Sequence, residues 1–292
     1  MKKLITKAIL IVALLSLVAS LAVGFTACSG GKDPNKLYVG LECAYSPFNY
    51  TQRDDSNGAV QIYNTNYKPI ARSYANGYDV MIAKKIAEGL GKELVVVKME
   101  WDALVPAVQA GSVDLIIAGM SPTAERKEEI DFSDPYYQSN LVLVVRKDGA
   151  YANATSLANF NGATVAAQQG TFHDQALQEQ GPSYGITRHT PLADFPALIN
   201  ALSTKAIDAY VAEEPGAIEN CASNPDFTYV HLKNNTTGFT ATDEDTAIAV
   251  GIQKNSSLTA QINTILGKIT QSQRDEMMQK AISLSTGENI VE

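Results

Sequence analysis

The amino-acid sequence predicts an α/β protein of two lobes, each a mostly parallel sheet flanked by helices. Three observations carry this. From residue 37 onward, short apolar runs alternate with amphipathic stretches, the β-α-β-α-β order that builds parallel sheets through crossover helices. The alternation resumes in the second half of the chain. Finally, residues 103–119 (ALVPAVQAGSVDLIIAG) and residues 197–213 (ALINALSTKAIDAYVAE) share Ala, Leu, Ala, Asp and Ala, and most remaining apolar positions agree in kind. Any amphipathic helix leading into a strand gives part of this match. Two lobes of related construction give all of it, and then Gly119 and Glu213 end equivalent strands, where open parallel sheets place ligands.

Residues 37–41 form the first apolar run. In residues 80–90, Ile82, Ile86 and Leu90 stand at i, i+4 and i+8 with Ala83 and Ala87 beside them, which is one helical face. Gly89 and Gly91 mark its end. Residues 94–97 read as a strand. Asp102 is expected to cap a helix running to Ala110, with Pro106 early enough to be tolerated. Residues 113–118 (VDLIIA) read as a buried strand, and Leu141–Arg146 is another apolar run. After the Asn161-Gly162 turn come a strand at 164–168, a helix at 171–180, a short strand at 186–189, a helix at 195–204 capped by Asp194, and a strand at 207–211. Residues 53–76, rich in Asn, Asp, Ser and Tyr and without periodicity, read as an inserted loop with room for a small hairpin, longer than an ordinary connection.

Residues 1–27 read as a signal peptide. Lys2, Lys3 and Lys7 precede an apolar run over residues 8–25, then Thr26-Ala27-Cys28. The run reaches the lower end of membrane-spanning length. The small residues before Cys28 and the polar stretch after it favour a cleaved lipoprotein signal, with residues 28–36 as lipidated Cys and tether. The segment resembles a lipobox except that Phe25 stands where Leu is usual. A diacylated Cys28 would hold the protein at a membrane surface without spanning it.

The chain carries 23 Lys+Arg against 31 Asp+Glu, a formal charge of -8, and loss of residues 1–27 removes three lysines and no acid. This balance argues against a nucleic-acid partner, which needs a basic patch. Three Cys are too few for a disulfide scaffold. Cys43 and Cys221 fall in different lobes and are expected to be free, partly buried thiols. His173, His189 and His231 show no metal-ligand spacing, and GxGxxG, GxxxxGK[ST], GxSxG and HExxH are absent.

Chemistry gathers at the strand ends. Gly119-Met120-Ser121-Pro122-Thr123-Ala124-Glu125-Arg126 leaves a strand and enters a helix, where backbone N–H groups favour an anion and Arg126 adds a planar fork suited to a carboxylate. A Thr123 cap with a surface Arg126–Glu pair explains this segment equally well. Gln169-Gly170-Thr171-Phe172 has the same character, or is a plain Thr171 cap. Glu213-Glu214 can receive a cation or form a solvated acidic turn. Glu42, Tyr45 and Phe48 follow the first strand, and Trp101 precedes a helix; core packing is the ordinary role of such aromatics. Together these groups suit a small zwitterion with a carboxylate, an ammonium and a side chain.

At this point the sequence resembles the extracellular solute-binding proteins of polar amino-acid ABC transporters, of the type II periplasmic-binding fold. The resemblance rests on Tyr45-Ser46-Pro47-Phe48, Gly77-Tyr78-Asp79-Val80, Trp101-Asp102-Ala103-Leu104-Val105-Pro106-Ala107, Val113-Asp114-Leu115-Ile116-Ile117-Ala118-Gly119-Met120, Glu125-Arg126-Lys127 and Asp131-Phe132-Ser133-Asp134-Pro135-Tyr136-Tyr137. It implies lobe one at 37–139 with 246–292, lobe two at 140–245, and two hinge crossovers. It implies that Arg126 clamps a ligand α-carboxylate with Gly119, Met120 and Ser121. Gln169, Gly170 and Thr171 would answer from the second lobe, and Glu213, usually Asp, would take the α-ammonium. Tyr45, Trp101 and Phe48 would line the side-chain pocket beside Glu42.

The function so implied is a non-enzymatic, cofactor-free substrate-binding lipoprotein of an amino-acid importer. It would close on a free cationic amino acid (Arg, Lys, ornithine, His) or Gln and deliver it to an ABC permease. The expected form is a monomer on the outer face of the cytoplasmic membrane, or in the periplasm of a Gram-negative cell. A cyclohexadienyl-dehydratase-like enzyme, with Glu42 or Glu213 as general acid, and a ligand-sensing module are the alternatives on the same fold.

Overall fold

Leu37, Val39 and Leu41 are apolar on a segment buried on both sides, so residues 36–41 form an interior strand rather than an edge. The structure is a computed structural model and describes residues 32–287. The expected signal peptide and Cys28 lie outside the described residues. In chain order the strands begin with β1 (Lys36–Leu41), β2 (Ala44–Tyr45), β3 (Asn49–Gln52), β4 (Val60–Tyr63), β5 (Pro69–Asn76), β6 (Glu93–Lys98), β7 (Leu115–Ile116) and β8 (Asp131–Phe132). They continue with β9 (Tyr137–Gln138), β10 (Leu141–Arg146), β11 (Thr164–Ala166), β12 (Thr187–Arg188), β13 (Ala209–Glu213), β14 (Phe227–Val230), β15 (Ala247–Ile248) and β16 (Gly251–Ile252).

These strands build a nine-stranded sheet in the order β2-β3-β5-β4-β6-β1-β7-β16-β8 and a five-stranded sheet in the order β12-β11-β13-β10-β14. The expected parallel pairing forms the centre of each, as β4-β6-β1-β7 and β12-β11-β13. Antiparallel strands extend both sheets outward. The chain crosses between the sheets at β9 and returns at β15, and these two strands pair with each other, Gln138 opposite Ala247 and Tyr137 opposite Ile248.

Helices cover the sheets. They are α1 (Tyr78–Gly89), α2 (Leu104–Gln109), α3 (Ala124–Glu129), α4 (Phe172–Gln180), α5 (Phe195–Ser203), α6 (Glu214–Ser223), α7 (Asp243–Thr246), α8 (Leu258–Leu266) and α9 (Gln271–Thr286). The anticipated face of α1 is buried through Ile82, Ala83 and Ile86, and burial of each Ile contributes ~1.5–3 kcal/mol. No helix among the described residues is long and apolar enough to cross a membrane. Cys43 is buried, Cys221 half-buried, and both are free thiols.

Two local expectations are corrected. Residues 53–76 hold the hairpin allowed for there, but not as an appended loop: β4 and β5 pair antiparallel and enter the larger sheet, with β4 parallel to β6. Their faces are mostly half-buried or exposed, with Ile62 alone fully buried in β4, so the period-2 signal is too short to read. Asp102 does not cap a helix. It sits inside a 3-10 turn, Trp101–Ala103, and its carboxylate accepts instead from Gln169 Nε2 at 2.5 Å.

Candidate functional site

The carboxyl ends of β1, β7 and β13 point to one region, because parallel central strands leave their following loops on the same edge. Beyond β1 lies Glu42, only 5% exposed. Gln168, just after β11, donates from Nε2 to Glu42 Oε1 at 2.9 Å and to the Ala193 carbonyl at 3.0 Å. Burial pushes the Glu42 carboxyl up to about 7 against the lowering effect of the Gln168 bond, and the nearby Asp194 and Glu100 carboxylates add to the rise.

Beyond β7, Gly119 adopts φ 65°, and a Cβ there would lie 2.9 Å from Tyr45 Cε1. Left-handed backbone and close approach together require glycine. Asp79, fully buried, underlies this loop: it accepts from Asn49 Nδ2 at 2.8 Å, from the Tyr136 hydroxyl at 2.7 Å, and from the Gly119 N–H. Thr123 caps α3 through a 3.4 Å bond from the Arg126 N–H. That fixes Arg126 in the first turn, where Nη1 donates to the Ser121 carbonyl at 2.9 Å and Nη2 to the Gly170 carbonyl at 2.7 Å. The guanidinium sits 5.2 Å from the Trp101 ring centroid and forms no ion pair among the described residues. Burial pulls its pKa down to about 10, so it stays charged.

Opposite stands the smaller sheet. Gly170 (φ 63°) passes so close to Trp101 that a Cβ would lie 3.4 Å from the indole nitrogen, and Trp101 Nε1 donates to its carbonyl at 3.2 Å. The Thr171 hydroxyl caps α4 and donates to the Gln168 carbonyl at 2.7 Å. Glu213, ending β13, is 5% exposed. Its Oε1 lies 2.9 Å from His173 Nε2, and its Oε2 accepts from the Tyr45 hydroxyl. Burial pushes Glu213 up to about 8 and His173 down to about 3. The Tyr45 ring is stacked between Phe195, with centroids 4.1 Å apart, and Phe48, at 4.9 Å.

Tyr45, Trp101, Gly119, Ser121, Arg126, Thr171 and Glu213 therefore line a single cavity, together with Gln168, His173 and Phe195. Its volume is about 20 Å³, close to that of one water. Larger hollows, of about 440 Å³ beside Lys127 and Asp131 and about 430 Å³ between α1, α8 and α9, lie elsewhere, while one of about 310 Å³ adjoins this cavity through Arg126, Thr171 and Phe172.

Five expected residues stand off the cavity wall. Glu42 meets it through Gln168, Phe48 backs Tyr45, Met120 is core, the Gly170 carbonyl receives Trp101 and Arg126, and Gln169 turns to Asp102. The glutamine facing Glu42 is thus Gln168 and not Gln169. Sequence reasoning missed Gln168, His173 and Phe195. Phe195 had a signal: the offset that sets 103–119 against 197–213 places it on Trp101.

The sequence model of the Bacterial extracellular solute-binding proteins, family 3, matches residues 60–283. The Arginine-binding extracellular protein ArtP of Bacillus subtilis is 29% identical over 277 residues, covering 91% of this chain and 95% of its own length. The amino acid ABC transporter substrate-binding protein AbpA from Streptococcus pneumoniae, solved bound to L-arginine, superposes with a TM-score of 0.70 at 28% identity, covering 86% of this chain and 96% of its own. The ancestral amino acid-binding protein AncCDT-1, a precursor of cyclohexadienyl dehydratase, gives a TM-score of 0.67 at 26% identity, with 85% and 96% covered.

Proposed function

The chain belongs to the bacterial extracellular solute-binding proteins of family 3 and has the type II periplasmic-binding fold; on that premise we propose that it captures a free amino acid with a cationic side chain and presents it to an ABC permease. One observation carries the reading. A half-buried guanidinium without an ion pair among the described residues (Arg126) and a buried carboxyl (Glu213) share a cavity with Tyr45, Trp101 and Phe195, whose faces are stacked on one another or on Arg126 until the lobes part. The first suits an α-carboxylate, the second an α-ammonium, and the aromatic faces suit a cationic stem.

Ligand docks on lobe one (37–139 with 246–292) through Arg126, Ser121 and Trp101. Lobe two (140–245) then swings about β9 and β15, bringing Gly170, Thr171 and Glu213. A cavity of about 20 Å³ does not hold an amino acid, so admission requires the lobes to part and the Tyr45–Phe195 stack to open. Glu42, with Asp194 and Glu100 near it, favours a cationic side chain; Gln is the neutral alternative, for Gln168 already shows an amide nitrogen bonding there. The protein acts as a monomer held outside the cell by lipid on Cys28.

A thermal-shift screen of residues 28–292 against the twenty amino acids and ornithine tests this. Ligand that prefers the native state raises the melting temperature by mass action, and stabilisation is expected from Arg, Lys, ornithine or His. A screen in which no amino acid stabilises the protein overturns the reading. A second reading has one observation in its favour: Glu42 and Glu213 are both raised toward neutrality, as a general acid requires. Turnover of prephenate or arogenate would put a dehydratase in place of the receptor.

A further inference from the structure

We propose that His173 is a positioning residue for Glu213 and that its ring exchanges tautomers as ligand is captured, releasing one proton per ligand. The inference rests on the amino-acid reading of the cleft and goes beyond it. Glu213 has both carboxyl oxygens engaged, Oε1 by His173 Nε2 at 2.9 Å and Oε2 by the Tyr45 hydroxyl. His173 is 6% exposed, and its Nδ1 is buried with no hydrogen-bond partner. The titratable groups facing the pair are Tyr45 from β2 and Arg126 from α3, and Arg126 disfavours a charge on the imidazole. Phe195 meets the ring edge-on, with centroids 6.5 Å apart, and adds no charge.

A buried carboxyl whose two hydrogen-bond partners are neutral favours its proton, and Arg126, the one cation facing the pair among the described residues, forms no ion pair with it. We assign the hydrogens so that Tyr45 donates to Oε2, the Glu213 Oε1–H donates to Nε2, and the neutral imidazole carries its own hydrogen on Nδ1, which is the atom left unpaired. The rise of Glu213 to about 8 and the fall of His173 to about 3 agree with it.

An arriving α-ammonium needs a carboxylate. Its positive charge favours ionisation of Glu213, and the ring absorbs the change. The Oε1 proton passes to Nε2, the Nδ1 proton leaves to solvent, and Nε2–H now donates to a carboxylate oxygen. The imidazole is neutral before and after, Glu213 becomes anionic against the ammonium, and one proton is released. The exchange also removes a buried donor that had no acceptor. Its orienting bond keeps Oε1 occupied, so Oε2, surrendered by Tyr45, is the oxygen shown to the ligand.

The test is calorimetric titration of the mature protein with the amino acid chosen by the thermal-shift screen, in two buffers of different ionisation enthalpy. In Glu42→Gln, where Glu42 no longer titrates, about one proton is released per ligand at pH 6.5, and the release falls as pH rises through about 8. Imidazole nitrogen shifts of labelled protein at pH 6.5 move His173 from the Nδ1–H to the Nε2–H tautomer on binding, a change that a merely structural histidine does not undergo. Adding Glu213→Gln to that variant abolishes the proton release. His173→Gln, which can still donate to the carboxylate, keeps affinity within about tenfold, whereas His173→Phe loses more than that. Tight binding with no proton release at pH 6.5, or an unchanged tautomer, overturns the proposal. Failure of every amino acid to bind overturns the reading of the cleft instead.

Discussion

Arg126 reaches across the cleft to Gly170: its Nη2 lies 2.7 Å from the Gly170 carbonyl oxygen while Nη1 holds the Ser121 carbonyl on its own side. One planar fork thus links the two sheets' loops, and Trp101 adds a second donor to the same carbonyl. A carbonyl offsets only part of the desolvation of a cation, and an ionised ligand offsets more. Arg126→Ala is therefore expected to weaken amino-acid binding by on the order of 2–5 kcal/mol, the range for truncating one partner of a buried charge pair. Arg126→Lys recovers only part of this, because an ammonium is not a fork. Calorimetry on both variants checks the assignment, and unchanged affinity in the alanine variant would sink it.

Gly119 and Gly91 make a controlled pair. Both have positive φ, 65° and 66°, but a Cβ at Gly119 would lie 2.9 Å from Tyr45 while one at Gly91 meets nothing within 4 Å. Alanine at either site carries the left-handed strain of about 1–2 kcal/mol. At Gly119 it must also push the Tyr45 ring out of its stack with Phe195. Gly91→Ala should lower the melting temperature and leave binding intact, whereas Gly119→Ala should do both kinds of damage, with affinity down at least ~10-fold. Equal ligand affinity in the two variants would show that Tyr45 does not shape the site.

The extent to which the sequence foretold the site follows from which interactions are local. Thr123 and Arg126 share one helix start, so their geometry was readable from spacing. Tyr45 and Trp101 stood at strand ends and were readable as aromatics, though their partners were not. His173 meets Glu213 only because α4 packs against β13, and nothing in the 39 residues between them announces that contact. Gln168 and Gln169 differ by the period-2 alternation of an extended segment, which sends neighbours to opposite sides; a boundary error of one residue exchanges them. The β4–β5 hairpin was allowed for, but its entry into the larger sheet was unreadable because its strands, mostly half-buried or exposed, lack the apolar alternation that marks a buried strand.

The pH dependence of stability has a definite sign. Asp79 is fully buried, and desolvation raises it from 3.8 to about 6 despite bonds from Tyr136 and Asn49. The folded state then binds more protons than the unfolded state between these values, so stability is greatest at the acid end of that window and falls as pH rises through it. Glu42 and Glu213, raised to about 7 and 8, extend the decline to about pH 8. Thermal melts of ligand-free protein from pH 5 to 8 should descend, the three carboxyls outweighing His173, whose lowering to about 3 acts in the opposite sense below about 6.5. Asp79→Asn should flatten the slope at its acid end. It should also cost about 1–3 kcal/mol at all pH values, because Asn49 and Tyr136 both donate to this side chain and an amide accepts through one oxygen only. A melting temperature that climbs from pH 5 to 8 contradicts the protonated assignment.

The side-chain end of the ligand turns on Glu42. Its carboxyl is buried, bonded by Gln168 and surrounded by the fields of Asp194, Glu100 and Lys98. A guanidinium or ammonium placed there would pair with the ionised form and hold it ionised. Glu42→Gln keeps the shape and deletes the charge. Arginine, lysine or ornithine should then bind more than ~10-fold more weakly, the lower part of the range for a desolvated charge pair, while glutamine loses less or gains. Acid acts on the wild type in the same sense. Below about pH 7 Glu42 takes up a proton before ligand arrives, so affinity for a cationic amino acid should fall more steeply with acid than affinity for glutamine. Taking the ratio of the two ligands cancels any titration at Glu213, since both bring the same α-ammonium there. In Glu42→Gln the ratio should become flat with pH. A wild-type ratio already flat between pH 5.5 and 8 would show that the side chain does not lie against Glu42.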